Sequence, residues 1–125
     1  METTTTDIQT TIDRYVATWN EADDARRASY ARTVFAPDGR LVDPLIDAVG
    51  PEAIAAAIGG LRDQMPGHSL ARTSAVDVHH DQARFGWAVN APDGTVAVAG
   101  IDVVTLDADG HLQSAIGFFG DVEAA

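Results

Sequence analysis

At 125 residues, with 46% hydrophobic and 22% charged residues, the chain has the length and composition of one globular domain, residues 1–125, and is too short for two comfortable ones. Its 8 basic and 19 acidic residues give a net charge of −11, which opposes nonspecific attachment to nucleic acid or to an anionic membrane. Cysteine is absent, which removes a disulfide framework, a thiolate nucleophile and zinc–thiolate sites.

The opening METTTTDIQT lacks the basic and apolar regions of a secretory signal, and no run approaches a membrane span, so a cytoplasmic location is expected. Thr6 followed by Gln9 has the form of a capping box, after which Ile8, Ile12, Tyr15, Val16 and Trp19 recur at helical spacing. This predicts a first helix over Asp7–Asn20 with Tyr15 in the middle of its apolar face. A buried tyrosine needs a partner for its hydroxyl. From the residues alone, Tyr15 reads as a core filler bonded to a backbone carbonyl or as a donor aimed into a cavity, the core being the simpler reading.

Glu21–Asp24 breaks the pattern, and Asp24 is placed to cap a second helix with Ala28, Ala31, Val34 and Phe35 inward. Pro37-Asp38-Gly39 then reads as a turn. Gly39–Asp43 follows as a short strand with Leu41 and Asp43 on one face, stopped by Pro44. A third helix opens at Gly50-Pro51 and runs to Met65 through Ile54, Ile58 and Leu61; Gly59-Gly60 inside it weakens the helix or lets it pack very closely.

From Ser69 onward the periodicity changes from helical to alternating. Ser69–His79, Ala83–Asn90, Thr95–Leu106 and His111–Phe119 read as strands joined by hairpins at 80–82, 92–94 and 107–110. Helices first and an antiparallel meander after them predict an α+β fold, with a curved sheet folded over the helices. Phe85, Trp87 and Val89 share one strand face, and so do Leu112, Ile116 and Phe118. Such a sheet leaves a concave mouth suited to an apolar ligand.

Within Thr95–Leu106, Asp102 shares its face with Val96, Val98, Val104 and Leu106. An acid placed among apolar groups requires a hydrogen-bond network or a raised pKa. A face open to solvent, or a structural arginine partner, would account for it equally well. His79-His80-Asp81 sits at a turn with adjacent side chains pointing oppositely, so it reads as a solvated hairpin and not as a metal site; His68 and His111 also flank turns. A nucleophile elbow and a Gly-rich phosphate loop are both missing, and no metal or cofactor is called for.

RYVATWNEAD at 14–23, LVDP at 41–44, GPEAI at 50–54, AGIDVVTLDADGHL at 99–112 and GFFGD at 117–121 together resemble the SnoaL-like branch of the nuclear transport factor two superfamily over nearly the whole chain. The resemblance implies a cone-shaped α+β barrel, three N-terminal helices packed in a strongly curved antiparallel sheet, often a homodimer through that sheet. Within the superfamily the chain is similar to the bacterial ketosteroid isomerases at a tyrosine in an RYV context, an aspartate in a DP step and an aspartate in an ID step. On that resemblance Tyr15 would be the oxyanion-hole phenol, Asp102 its neutral carboxylic-acid partner and Asp43 the proton-shuttling base.

The resemblance thus implies proton transfer at carbon beside a carbonyl, through an enolate, on an apolar small-molecule carbonyl compound. The segment between Tyr15 and Asp43 is a few residues longer than in the isomerases. Trp19, Phe35, Leu61, Met65, Phe85, Trp87, Phe118 and Phe119 are the candidate pocket walls, though each alone fits a core equally well. A polyketide cyclase of the SnoaL type would use Asp102 as acid/base for an aldol closure. An epoxide hydrolase of the limonene type would need an arginine two residues before it, where Gly100 stands, or a substitute such as Arg72 or Arg84. A ligand- or partner-binding module without catalysis is the remaining class.

Overall fold

The computed structural model describes residues 5–125 as three helices followed and interleaved by seven strands. The helices are α1 (Thr5–Asn20), α2 (Asp24–Val34) and α3 (Pro51–Gln64). The strands are β1 (Phe35–Val42), β2 (Asp47–Val49), β3 (Ser69–Arg72), β4 (Asp77–His79), β5 (Gln82–Asn90), β6 (Val96–Leu106) and β7 (Leu112–Phe119). The side chain of Thr6, half of the expected capping box, lies outside the described residues.

The apolar stripe of α1 does what its spacing requires: Ile8, Ile12 and Tyr15 are buried, one turn apart along the helix. The cap of α2 is Asp23 and not Asp24; its Oδ2 accepts the Arg26 N–H at 2.8 Å, satisfying an orphan donor of the first turn. Gly50, at φ 90°, and Pro51 start α3 as expected.

The sheet runs in the order β2-β1-β7-β6-β5-β3, with β4 also on β5, so it is a curved, open sheet and not a closed barrel. It is mixed rather than wholly antiparallel, because β1 pairs parallel to β7. The expected turn at 37–39 is part of β1: the ladder to β7 slips between Phe35 and Arg40, so Pro37 and Asp38 sit on an irregular stretch of strand. The run read as one strand over Ser69–His79 is two, β3 and β4, interrupted at Thr73–Val76 and both pairing β5.

A second irregularity decides which side chains face inward. Leu106 pairs with Leu112 and Thr105 with Ser114, so Gln113 is an extra residue in β7. One extra residue exchanges the two faces of a strand. Leu112, Ala115, Gly117 and Phe119 therefore face the helices, whereas Ile116 and Phe118 turn outward, correcting the face expected for this strand.

The concave side divides along its length. At one end Phe35, Phe85, Val104, Leu106 and Leu112 pack on Ile8, Ile12, Ile54 and Ile58 as a closed core. Full burial of each such side chain stabilises by roughly 1.5–3 kcal/mol. At the other end α1 is tied to the sheet by Asn20, whose amide exchanges hydrogen bonds with the Leu70 backbone at 2.7 and 2.9 Å, and here the layers do not close.

The glycine pair of α3 has two different roles. Arg27 of α2 is buried, with its guanidinium held by the Glu21 and Ala22 carbonyls and by Asp24, and it lies directly against Gly59. A Cβ at Gly59 would fall 2.5 Å from Arg27 Nη1, whereas one at Gly60 meets nothing within 4 Å. Gly59→Ala is expected to destabilise by about 1–3 kcal/mol through overpacking, and Gly60→Ala to stabilise by about 0.5–1 kcal/mol through helix propensity. Urea denaturation of the two single variants checks the opposite signs.

Candidate active site

Where core gives way to opening, a pocket of about 460 Å³, mouth included, lies between α1, α3 and the sheet. Tyr15, Asp43 and Asp102 all line it, with Trp19, Leu45, Leu61, Met65, Leu70, Trp87, Val89, Val98 and Phe119 as walls. Asp102 sits on the inner face of β6 between core-facing Val104 and pocket-facing Val98, which leaves it 6% exposed. Tyr15 holds the equivalent boundary on α1, with Ile12 behind it in the core and Trp19 ahead of it in the pocket.

Asp102 is answered by donors on both oxygens: the Tyr15 hydroxyl donates to Oδ2 at 2.8 Å and the Trp87 indole N–H to Oδ1 at 2.8 Å. Burial lifts its carboxyl from the ordinary 3.8 to about 6, opposed by these two hydrogen bonds, while the charge of Asp43 adds a further upward push. The direction is the one expected, but the extent leaves the ligand-free carboxylate mostly ionised at neutral pH, because both oxygens are solvated by the protein. Burial, then the charge of Asp102 and the hydrogen bond to it, hold the Tyr15 phenol well above its ordinary range.

Asp43 is placed by the turn that ends β1. Its Oδ1 accepts the N–H groups of Leu45 and Ile46 at 2.8 and 2.9 Å, while its backbone N–H donates to the Ile46 carbonyl at 2.9 Å. Pro44 favours that turn. The described hydrogen bonds leave Oδ2 uncommitted, and the longer segment after Tyr15 is taken up by α2 and irregular β1 before Asp43 reaches the pocket.

Two glycines keep the floor of the site open. Gly100, opposite Trp87 in the β5–β6 ladder, lets the indole cross the strand toward Asp102: a Cβ there would lie 2.7 Å from Trp87 Cζ2 and run into the Phe118 carbonyl. Gly117 pairs with Asp102, and a Cβ there would stand 2.8 Å from Asp102 Oδ1 and 3.1 Å from the Asp43 Cβ. The arginine that an epoxide hydrolase of the limonene type needs therefore has no room at Gly100. Arg84 is paired to Asp77 at 2.8 Å, and Arg72 is exposed and outside the pocket lining, so neither replaces it.

Of the candidate walls, Trp19, Leu61, Met65, Trp87 and Phe119 line the pocket. Phe35 and Phe85 do not; they pack edge-on against Tyr15 within the core, with ring centroids 5.9 and 6.2 Å away. Phe118 is on the outer face, 62% exposed, for the reason of the extra residue in β7. What the residue pattern did not disclose is that Trp87 is a donor to Asp102 as well as a wall; its place across from Gly100 in the ladder, which no local pattern marks, brings the indole there.

The Trp19 indole N–H is buried and has no hydrogen-bond partner among the described residues, yet it lies close enough to the Tyr15 oxygen to favour the ionised phenol. Among the described residues the grouping with metal-like spacing is Asp107, Asp109 and His111 in the β6–β7 turn, outside the pocket lining, where Asp107 Oδ1 accepts the N–H groups of Asp109 and His111. No described helix is long and apolar enough to cross a membrane.

An apolar-walled pocket with a few convergent acids is held between helices and a curved sheet, and the architecture is the nuclear transport factor two-like fold. The sequence matches the SnoaL-like domain over residues 12–115, and the chain belongs to that family. It is similar to the structure of a candidate isomerase of the SnoaL-like family from Agrobacterium tumefaciens strain C58, at 34% identity and a TM-score of 0.88, over 93% of this chain and 99% of that one.

A candidate SnoaL-like polyketide cyclase from Jannaschia sp. CCS1 shares the fold at 20% identity and a TM-score of 0.73, covering 91% of this chain and 85% of that one. TsrD from Streptomyces laurentii does so at 20% identity and a TM-score of 0.71, over 94% and 91%. Among curated proteins none matches the sequence.

Proposed function

We propose that this protein carries out acid/base proton transfer at the carbon next to the carbonyl group of an apolar small molecule, through an enolate. The observation that carries this reading is that Tyr15, Asp43 and Asp102 line one apolar pocket. In the proposed step the free Oδ2 of Asp43 takes the α-proton and the electron pair moves to the carbonyl oxygen. The hydroxyl of Tyr15, turned from Asp102 to the ligand, and an Asp102 that has taken up a proton from solvent as the ligand binds donate to the resulting anion, and Asp43 returns the proton at a second carbon. Trp19, Leu61, Met65 and Trp87 would hold the substrate's apolar body.

A polyketide-cyclase reading is favoured by one observation: a carboxyl raised to about 6 suits Asp102 itself as the acid/base of an aldol closure. Assaying isomerisation of a β,γ-unsaturated ketone beside a small panel of polyketide substrates separates the two. Turnover of the ketone supports the first reading, turnover of the panel alone the second, and ligand binding with neither reaction a non-catalytic pocket.

We also propose that the chain acts as a homodimer through the sheet. Supporting this, Ile101 and Phe118 are cross-strand partners on the outer face, both exposed, and Ile116 adjoins them. Sedimentation is expected to give twice the chain mass for the unaltered protein and the chain mass for Phe118→Asp, since a carboxylate cannot be buried unpaired in an interface. A monomer at high protein concentration before substitution would rule the dimer out.

A further inference from the structure

The pocket continues past Trp19 into a second hollow that the proposed chemistry leaves unused. Trp19, Leu61, Met65, Leu70 and Val89 line both. The second hollow differs by adding Asn20, His68, Ser69 and cationic Arg62, which is half-buried near the end of α3. Arg62 Nη1 donates to the Trp19 carbonyl at 2.9 Å, which fixes the guanidinium at the last turn of α1 and leaves its other N–H groups without a partner among the described residues.

Arg62 also lacks a carboxylate partner among the described residues. Arg26, Arg27, Arg32, Arg40 and Arg84 each have a carboxylate within ion-pair distance, whereas Arg14, Arg62 and Arg72 have none among the described residues, and of these three it is Arg62 that lines the hollow. In a chain of net charge −11, an uncompensated guanidinium facing an apolar hollow is a seat for an anionic group. Its planar edge matches a carboxylate bidentately. The Trp19 carbonyl that holds Arg62 belongs to the helical turn after Tyr15, about 6 Å along the axis, a rise comparable with the length of a fused ring pair.

We propose that Arg62 anchors a carboxylate on the far end of the ligand, so that the substrate is a flat apolar carbonyl compound with a carboxylic acid about two fused rings from its reacting carbonyl. This rests on the reading of Tyr15 and Asp102 as the seat of the ligand oxygen. The test compares a naphthol, whose hydroxyl occupies that seat, with the same naphthol bearing a carboxylic acid on the far ring, by calorimetric titration at neutral pH.

The acid is expected to bind about tenfold more tightly, equivalent to about 1.4 kcal/mol. Arg62→Gln, which keeps a donor for the Trp19 carbonyl, is expected to abolish the preference and leave the plain naphthol's affinity unchanged. Arg62→Lys, charged but unforked, should retain part of it, and salt should weaken it in the unaltered protein. A naphthol that binds without gain from the acid, or a preference that survives Arg62→Gln, overturns the anchor alone. Failure of both compounds to bind overturns the oxygen seat and the anchor together.

Discussion

Asp43→Asn is expected to slow proton abstraction about a hundredfold to ten-thousandfold, the usual contribution of a positioned general base. The substitution separates chemistry from structure unusually well, because the atom that builds the turn is not the atom proposed to react. Oδ1 accepts the Leu45 and Ile46 N–H groups, and the asparagine carbonyl can do the same. The proposed base is Oδ2, which becomes an amide nitrogen without a lone pair to offer. The fold, the pocket walls and the Tyr15–Asp102 pair should persist, so the affinity for a neutral phenol should change by no more than about twofold. Removing the Asp43 charge takes away its repulsion of an anionic oxygen but also lowers the Asp102 pKa, which works the other way, so a neutral phenol is the ligand to titrate. Following a β,γ-unsaturated ketone by absorbance, with the phenol titrated separately, gives both numbers. Full turnover by the asparagine variant would remove Asp43 from the mechanism; loss of phenol binding would mean that the residue shapes the pocket.

The residue pattern was most informative where a period and a physical requirement coincide. Ile8, Ile12 and Tyr15 needed a core at helical spacing, and Asp102 among β6 valines needed partners; both needs are met where they were expected. The hairpins at 92–94 and 107–110 were legible because Gly94 and Gly110 supply positive φ. What stayed hidden depends on register. The extra residue at Gln113 reverses which half of β7 faces inward, and no local signal in QSAIGFF marks it, so Phe118 was assigned to the wrong side and Gly117 passed unnoticed. The parallel pairing of β1 with β7 joins segments far apart in sequence, and the donor role of Trp87 depends on its lying across Gly100 on the neighbouring strand. Arg62 was silent for the same reason: its partner is a backbone carbonyl on another helix.

The ionisation of Asp102 ties stability and ligand binding to the same pH window, and its expected effects are large. Its folded pKa, about 6, lies above the unfolded value near 3.8, so the folded state binds more protons between the two. Stability from this group is therefore complete below about pH 4 and is lost as pH rises through 6, by about 3 kcal/mol in all. Asp102→Asn has no such titration. Subtracting its pH–stability curve from that of the unaltered protein should isolate this fall against the opposite trend of paired surface carboxylates such as Asp47 and Glu52. A phenol made acidic enough to be anionic throughout then reads the same proton from the ligand side. It cannot bind beside an ionised Asp102 without taking up one proton, so its affinity should be flat below pH 6 and fall about tenfold for each unit above, reaching about a hundredfold by pH 8. The asparagine variant, with a neutral amide in place of the acid, should bind the anion with no pH dependence and overtake the unaltered protein at the alkaline end. Parallel pH profiles for the two proteins would show that the buried carboxyl does not carry the proton that the bound anion requires.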